Sequence, residues 1–278
     1  MKLTFLGTGA ATGVPLPFCR CAVCCSARAN GGRDVRLRAS LLMNDDLLID
    51  LGPDAPGAML RFGCDLTRVR HILQTHAHAD HFDAGHFITR DPAYATVAPP
   101  PIDLVCSPET AAALDFKLKL EDEQSDLFSP DWRDRCRVTL HLPRHGDTIA
   151  LGRYAVTAIE SMHGENGMIY RIAQGKTAVL YATDLDHLTA CAWKELRRLP
   201  LSATILDCTY GAGINGDGHL NANQVTTIVH RMRQDGILRA DASVYATHIS
   251  HEGNAPHDEM EKQADGYHIA YDGLTIES

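Results

Sequence analysis

Thr75-His76-Ala77-His78-Ala79-Asp80-His81 follows directly on the apolar run 69–74 and decides how the rest of the chain is read. Its H-x-H-x-D-H pattern sets four donors within six residues. Imidazole and carboxylate are ligands suited to borderline and harder divalent cations. The small Ala77 and Ala79 let a tight loop turn two of these side chains toward one ion and two toward another. A histidine-rich surface loop would need neither Asp80 nor matching donors further along the chain, and matching donors are present.

Those donors share a position. His163 follows the apolar run 154–159, Asp184 follows 178–183 and His248 follows 244–247, just as His76 follows 69–74. If these strand ends meet at one edge, six or seven ligands converge on loops held by a rigid frame. Other short apolar runs lie at 3–6, 40–43, 47–50, 102–106, 169–173, 204–207 and 268–271. Helical periodicity falls at about 54–62, 107–119, 188–198, 221–235 and 257–265. Strand clusters flanked by helices predict two sheets packed face to face with helices outside, an α/β (α+β) layered fold over 1–278. Pro99-Pro100-Pro101 reads as a rigid turn, and polar 120–135 as an exposed loop within an insertion at 115–135.

The chain has 278 residues and is 45% hydrophobic, enough for a large core. No run approaches the roughly 18–20 apolar residues of a membrane span. Met1-Lys2-Leu3-Thr4-Phe5 enters a strand-like run at once, without the regions of a signal peptide, so the expectation is a cytoplasmic protein with no membrane partner. The formal charge is −9, and no basic stripe of the kind that neutralises many phosphates is visible, which excludes long nucleic acids. Arg33, Arg36 and Arg38 form a short cluster read as a solvated face. Gly7-Thr8-Gly9-Ala10-Ala11-Thr12-Gly13 lacks the Gly-Lys-Ser/Thr of a nucleotide loop and reads as a tight turn under the site.

Among nine cysteines, Cys64, Cys106, Cys136, Cys191 and Cys208 stand alone in or beside apolar runs and read as buried thiols. Cys19, Cys21, Cys24 and Cys25 are clustered, which in a reducing compartment points to a metal. Thr247-His248-Ile249-Ser250-His251 supplies a further imidazole. Cys19, Cys21, Cys24 and His251 fit a closed, tetrahedral structural zinc site in the loop 18–26, with Cys25 an alternative to Cys24.

The H-x-H-x-D-H motif and the order of His163, Asp184 and His248 resemble the metallo-β-lactamase superfamily. The resemblance implies a four-layer αββα sandwich with a dinuclear site at one sheet edge. It implies that His76, His78 and His163 hold one metal, that Asp80, His81 and His248 hold the second, and that Asp184 bridges. His141, His145 and His187 compete for the place of His163. Leu6-Gly7-Thr8-Gly9, Gly13-Val14-Pro15, the cysteine triplet and Thr-His-Ile-Ser-His are similar to the cyclic phosphodiesterases of the phosphonate carbon–phosphorus lyase pathway, from about Lys2 to Leu274, with 115–135 matching poorly. That group implies two active-site ions (manganese or zinc, with iron a third choice), one structural zinc and, by analogy, a homodimer.

Two divalent ions, two carboxylates and one hydroxide leave the pocket at about +1, which favours small anionic substrates. Water between two cations, with its pKa lowered to roughly 7, is the expected nucleophile, and the ions are expected to clamp a phosphoryl group. Zinc β-lactamases carry a cysteine at the second metal in place of the bridging carboxylate, so Asp184 favours phosphodiesterase or thioesterase relatives. By family likeness, His219 in Gly218-His219-Leu220-Asn221 is the expected general acid beside Asp80 in the catalytic set. Asn221 reads as a helix cap and Asp207 as a group that orients a histidine. His86 reads as a helix surface residue.

The expected function is hydrolysis of a small or cyclic phosphodiester. Thioester or lactone hydrolysis on the same core is one alternative. A metal-binding accessory protein of the pyrroloquinoline quinone biosynthesis type is another, although those relatives usually lack an intact H-x-H-x-D-H. The long basic arm of transfer-RNA-processing relatives has no counterpart here.

Overall fold

Ser40-Leu41-Leu42-Met43 shows how the strands are used: Leu41 and Met43 enter one core while Leu42 enters another. Residues alternate faces along a strand, so a run apolar at every position belongs to a sheet covered on both sides. In the computed structural model, which describes residues 1–163, 167–198 and 200–278, these strands form two seven-stranded sheets. The first orders β14 (Thr275–Glu277), β1 (Lys2–Gly7), β2 (Ser40–Met43), β3 (Leu47–Ile49), β4 (His71–Leu73), β5 (Ile102–Val105) and β6 (Val138–His141). The second orders β13 (His268–Ile269), β12 (Leu238–Thr247), β11 (Leu201–Asp207), β10 (Thr177–Ala182), β9 (Met168–Gln174), β8 (Tyr154–Glu160) and β7 (Thr148–Leu151).

Leu3, Phe5, Met43 and Leu73 of the first sheet meet Tyr154, Tyr170, Val179 and Ile205 of the second in a shared central core. The first sheet's other face is covered by α2 (Ala55–Phe62), α3 (Gly85–Ile88), α4 (Pro108–Glu121) and α5 (Pro130–Cys136). The second is covered by α6 (Ala190–Leu196), α7 (Ala222–Gln234) and α8 (His257–Gln263). The four layers are helix, sheet, sheet, helix, as expected. Strands β10, β11 and β12 are parallel, and β8 runs in the same sense across antiparallel β9. Their carboxyl ends therefore share one edge. Met168 N–H donates to Thr75 O at 2.9 Å, which brings the loop after β4 to that edge.

The structure corrects several readings. The segment 120–135 is not an exposed loop: α4 runs on to Glu121, and α5 places Trp132 in the core with its indole N–H donating to Ser125 Oγ at 3.2 Å. The helix read at about 107–119 is α4, whereas charged residues on the outer face of α5 hid that helix, whose inner face is apolar. Strands β6, β7 and β14 lack an apolar run because they are edge or near-edge strands with polar residues on alternate positions. The cysteine-rich segment conceals helix α1 (Ala22–Asn30), capped by Cys21. Arg36 is not on a solvated face: it is buried and donates to Thr8 Oγ1 and Ala270 O. Of the isolated cysteines, Cys106, Cys136 and Cys208 are buried, but Cys64 is half-buried and Cys191 exposed. His86 lies on α3 and is half-buried. No helix among the described residues is long and apolar enough to cross a membrane.

Candidate metal centre

Constrained residues stand at or near the strand ends around the donors. Asp50, Met162, Asp184 and His248 all have positive φ, at 61°, 56°, 54° and 60°. Such conformations cost free energy in non-glycine residues and cluster where a frame holds functional groups. Close approach is also built in, since a Cβ on Gly52 would lie 2.3 Å from Asp80 O. The carbonyl of the motif loop thus rests directly on that glycine.

The imidazoles are fixed from behind. Thr75 Oγ1 lies 3.0 Å from His76 Nδ1, Asp50 Oδ2 2.7 Å from His81 Nδ1, and Thr209 Oγ1 2.8 Å from His248 Nδ1. Gly218 O accepts from His163 Nδ1 at 2.7 Å. Every one of these four rings presents Nε2 to the interior. His78 comes in by its other nitrogen, Nδ1, 3.4 Å from His163 Nε2. Asp50 also accepts from the Thr75 amide, which locks the loop to the end of β3.

Asp184 stands between two donor sets. Its Oδ1 is 3.7 Å from His76 Nε2 and 3.5 Å from His163 Nε2. Its Oδ2 is 3.1 Å from His81 Nε2 and 3.4 Å from His248 Nε2. Asp80 Oδ2 adds a second carboxylate at 3.0 and 3.5 Å from the latter pair. One atom from each of His76, His78, His163 and Asp184 lies within 4.8 Å of the others, and the same holds for Asp80, His81 and His248.

The chemistry of these atoms fits divalent cations. His76, His81 and His248 Nε2 and Asp184 Oδ2 are buried without a hydrogen-bond partner despite the short separations above. Leaving one such group unsatisfied costs about 1–3 kcal/mol. Burial and the His81 charge hold His76 well below the ordinary imidazole range, so it is a neutral donor. Burial opposes charge on Asp184, but His248, His81 and His76 outweigh it and hold the carboxyl well below its usual range. Asp80 is likewise held down by His81 and His248 against burial. Burial would lower His81, yet Asp184, Asp50 and Asp80 raise it well above the ordinary value. Carboxylates enclosed this way call for positive charge between them.

His219 enters from the loop before α7. Asn221 caps that helix in a reciprocal box with Gln224, and so fixes where His219 stands two residues earlier. Its Nδ1 lies 3.0 Å from Asp207 Oδ2, and its ring stacks on His248 at 5.2 Å and 19°. Asp207 also accepts from the amides of Asp184, Thr209 and Leu220. His141 instead meets Asp103 at 2.8 Å, His145 accepts from the Glu160 amide, and His187 is exposed beside Asp186. Among the competing histidines, the ligand cluster contains His163.

A second group of donors comes together near the N-terminal loop. Ligand atoms of Cys19, Cys21, Cys24 and His251 lie within 4.8 Å of one another, while exposed Cys25 turns its thiol to Arg20 O. The Cys24 amide holds the Cys21 thiol down at about 6, whereas burial pushes Cys24 up to about 11. Gly9 bridges Arg38 and Ile249, which joins the N-terminal loop to the His248 edge. Sequence reading passed over Asp50, Thr75, Thr209 and Gly218. Asp50 carried a signal, an acid at the end of an apolar strand like Asp184 and Asp207. The other three show themselves only through their tertiary partners.

Residues 46–249 match the β-lactamase superfamily domain. With the αββα layers and the strand-end donors, this defines the class: the chain belongs to the metallo-β-lactamase superfamily, a family of metal-dependent hydrolases. Within that class it resembles the PhnP type. A diphosphatase from the PhnP family is 27% identical with a TM-score of 0.74, covering 100% of this chain and 97% of that one. Zinc-bound PqqB from Methylobacterium extorquens is 19% identical with a TM-score of 0.72, covering 100% of both chains. The short form of human tRNase Z is 16% identical with a TM-score of 0.65, covering 100% of this chain and 99% of that one. These last two show the fold alone. An octanoyltransferase from Porphyromonas gingivalis (strain ATCC BAA-308 / W83) is 40% identical over 85 residues, which are 29% of this chain and only 16% of that protein.

Proposed function

We propose that this protein is a dinuclear-metal phosphodiesterase acting on small or cyclic phosphodiesters. His76, His78 and His163 would hold one ion, Asp80, His81 and His248 the other, and Asp184 both. The observation that carries this reading is the split of the Asp184 carboxylate, one oxygen toward each imidazole set. Zinc, manganese or iron suits these donors. Two such ions supply Lewis acidity, bringing water to ionisation near neutral pH and neutralising charge on a phosphoryl group. A structural zinc would sit on Cys19, Cys21, Cys24 and His251, tying the N-terminal loop to the active-site edge.

His219 would give a proton to the leaving oxygen. Asp207 occupies the side of the ring at Nδ1, so Nε2 is the atom free to face substrate. The carboxylate fixes the direction of the ring, as a general acid requires. The 27% likeness to a diphosphatase supports phosphoryl chemistry over acyl chemistry. Thioester or lactone hydrolysis on the same cage is a second reading, favoured by the short match to an octanoyltransferase.

Metal-loaded protein assayed on bis(aryl) phosphate, an aryl phosphorylcholine, an octanoyl thioester and a lactone separates these readings. Turnover of the phosphates is expected to exceed the others by at least about tenfold in kcat/KM, about 1.4 kcal/mol in barrier. Preferential thioester or lactone turnover would replace the phosphodiester assignment, and no turnover with zinc, manganese or iron would favour an accessory role.

A further inference from the structure

The four inward-facing Nε2 atoms are not fixed by equivalent means. Thr75, Asp50 and Thr209 orient His76, His81 and His248, and all three stand at or just after strand ends. His163 takes its orienting partner from elsewhere, the carbonyl of Gly218 in the glycine-rich segment 211–218. A carbonyl can only accept, so His163 Nδ1 carries the proton and Nε2 keeps its lone pair for a cation. Gly218 has φ +75°, and a Cβ there would lie 3.2 Å from His163 Nδ1. The next residue, His219, packs its ring on His163 at 4.6 Å. The segment is also tethered to α7, through the Gly213 amide to Asn223 Oδ1 at 2.9 Å and through Asn221 Nδ2 to Ile214 O at 2.8 Å, and to the loop after β12, through the Gly211 amide to Glu252 O at 3.1 Å.

We propose that Gly218 is a positioning residue that couples the ion held by His76, His78 and His163 to the ordering of the loop that carries His219. A bound ion would fix His163, and His163 the Gly218 carbonyl, so that the carbonyl on one side and the Asn221 cap on the other hold the backbone from which His219 projects. Coupling of this kind is reciprocal: ordering the loop tightens the ion, and binding the ion orders the loop. The second set, Asp80, His81 and His248, has no such carbonyl bond and meets the loop only through the stacking of His248 on His219. The inference rests on the dinuclear reading above.

Two alanine variants of one loop separate this role from general loop strain. Gly218→Ala brings a Cβ against His163. Gly213→Ala imposes a similar backbone cost, at φ +79°, with no atom within 4 Å of the new Cβ. Manganese and zinc are titrated into metal-stripped protein against a chromophoric chelator. Manganese spin resonance distinguishes a coupled pair from a single ion, and hydrogen exchange reads amides 211–219 with and without metal. For Gly218→Ala, affinity for one active-site ion is expected to fall about 10–100-fold, the range for losing a group that orients a metal-binding histidine. The other ion and the cysteine-bound zinc are expected to stay, the coupled-pair signal to give way to a single-ion signal, and metal-dependent protection of 211–219 to vanish. Gly213→Ala is expected to bind both ions as wild type does. Wild-type affinity for both ions in Gly218→Ala would overturn the coupling, as would equal loss of the ion in Gly213→Ala. A wild-type protein that takes up no active-site pair would sink the dinuclear reading itself.

Discussion

Replacing Asp207 by Asn keeps the side chain's shape and removes its charge, which tests whether His219 acts as an acid. Asp207 Oδ2 lies 3.0 Å from both His219 Nδ1 and the Asp184 amide, while Oδ1 accepts from the amides of Thr209 and Leu220. Asn can keep the Oδ1 bonds but offers an NH2 where Oδ2 stood. Coulomb attraction across 3.0 Å at an effective dielectric of 20 has an upper bound of about 5–6 kcal/mol. Hydrogen bonds to charged groups are worth about 1.5–3 kcal/mol net, and that smaller range governs because the ring also loses hydration when it pairs. The expected loss is therefore about 10–100-fold in turnover. It should fall on substrates whose leaving oxygen needs a proton. Nitrophenyl esters, whose leaving group departs as an anion, should lose less than about threefold, while alkyl or ribose-like esters lose the full factor. The assay is kcat against leaving-group basicity for both proteins, with metal content per chain measured alongside. A uniform loss across the series, accompanied by loss of metal, would refute the acid role and leave Asp207 as a support for Asp184.

Other outcomes follow from single contacts. Cys21→Ser preserves a side chain able to cap α1, so any loss reports the zinc; the variant should release one zinc per chain, lower the melting temperature and retain the active-site pair by elemental analysis. Trp132→Ala should cost about 3–5 kcal/mol in urea unfolding, because Trp132 is 2% exposed; a change below about 0.5 kcal/mol would restore the loop reading of 120–135. Burial pushes the Asp272 carboxyl up to about 6 from 3.8, against the Leu37 amide, Thr8 and Arg36. The folded state therefore binds this proton more tightly, so its contribution to stability is complete below about pH 4, declines up to about pH 6 and is flat above. The difference between wild type and Asp272→Asn should shrink by up to about 3 kcal/mol over that window, less where solvent reaches the partly exposed residue; parallel stability curves would contradict it.

The αββα layering was legible because the central strands are apolar on both faces and end in histidine or aspartate. The H-x-H-x-D-H loop was legible because its donors are local, four within six residues. The edge strands and α5 were not, since each buries only one face and its exposed face carries ordinary polar residues. Arg36 looked like surface because a guanidinium is usually solvated, and only the fold supplies the Thr8 hydroxyl and Ala270 carbonyl that let it be buried.

Residue type and spacing alone determined which groups can bind a cation and that they follow strands. They could not choose among His141, His145, His163 and His187, because separation along the chain says nothing of which nitrogen faces which oxygen. The tertiary structure made that choice, together with the split of the Asp184 carboxylate and the Gly218 carbonyl behind His163. Hydrogen bonds act over about 3 Å, and only the packing of two sheets brings atoms from residues 50, 80, 163, 184, 218 and 248 that close.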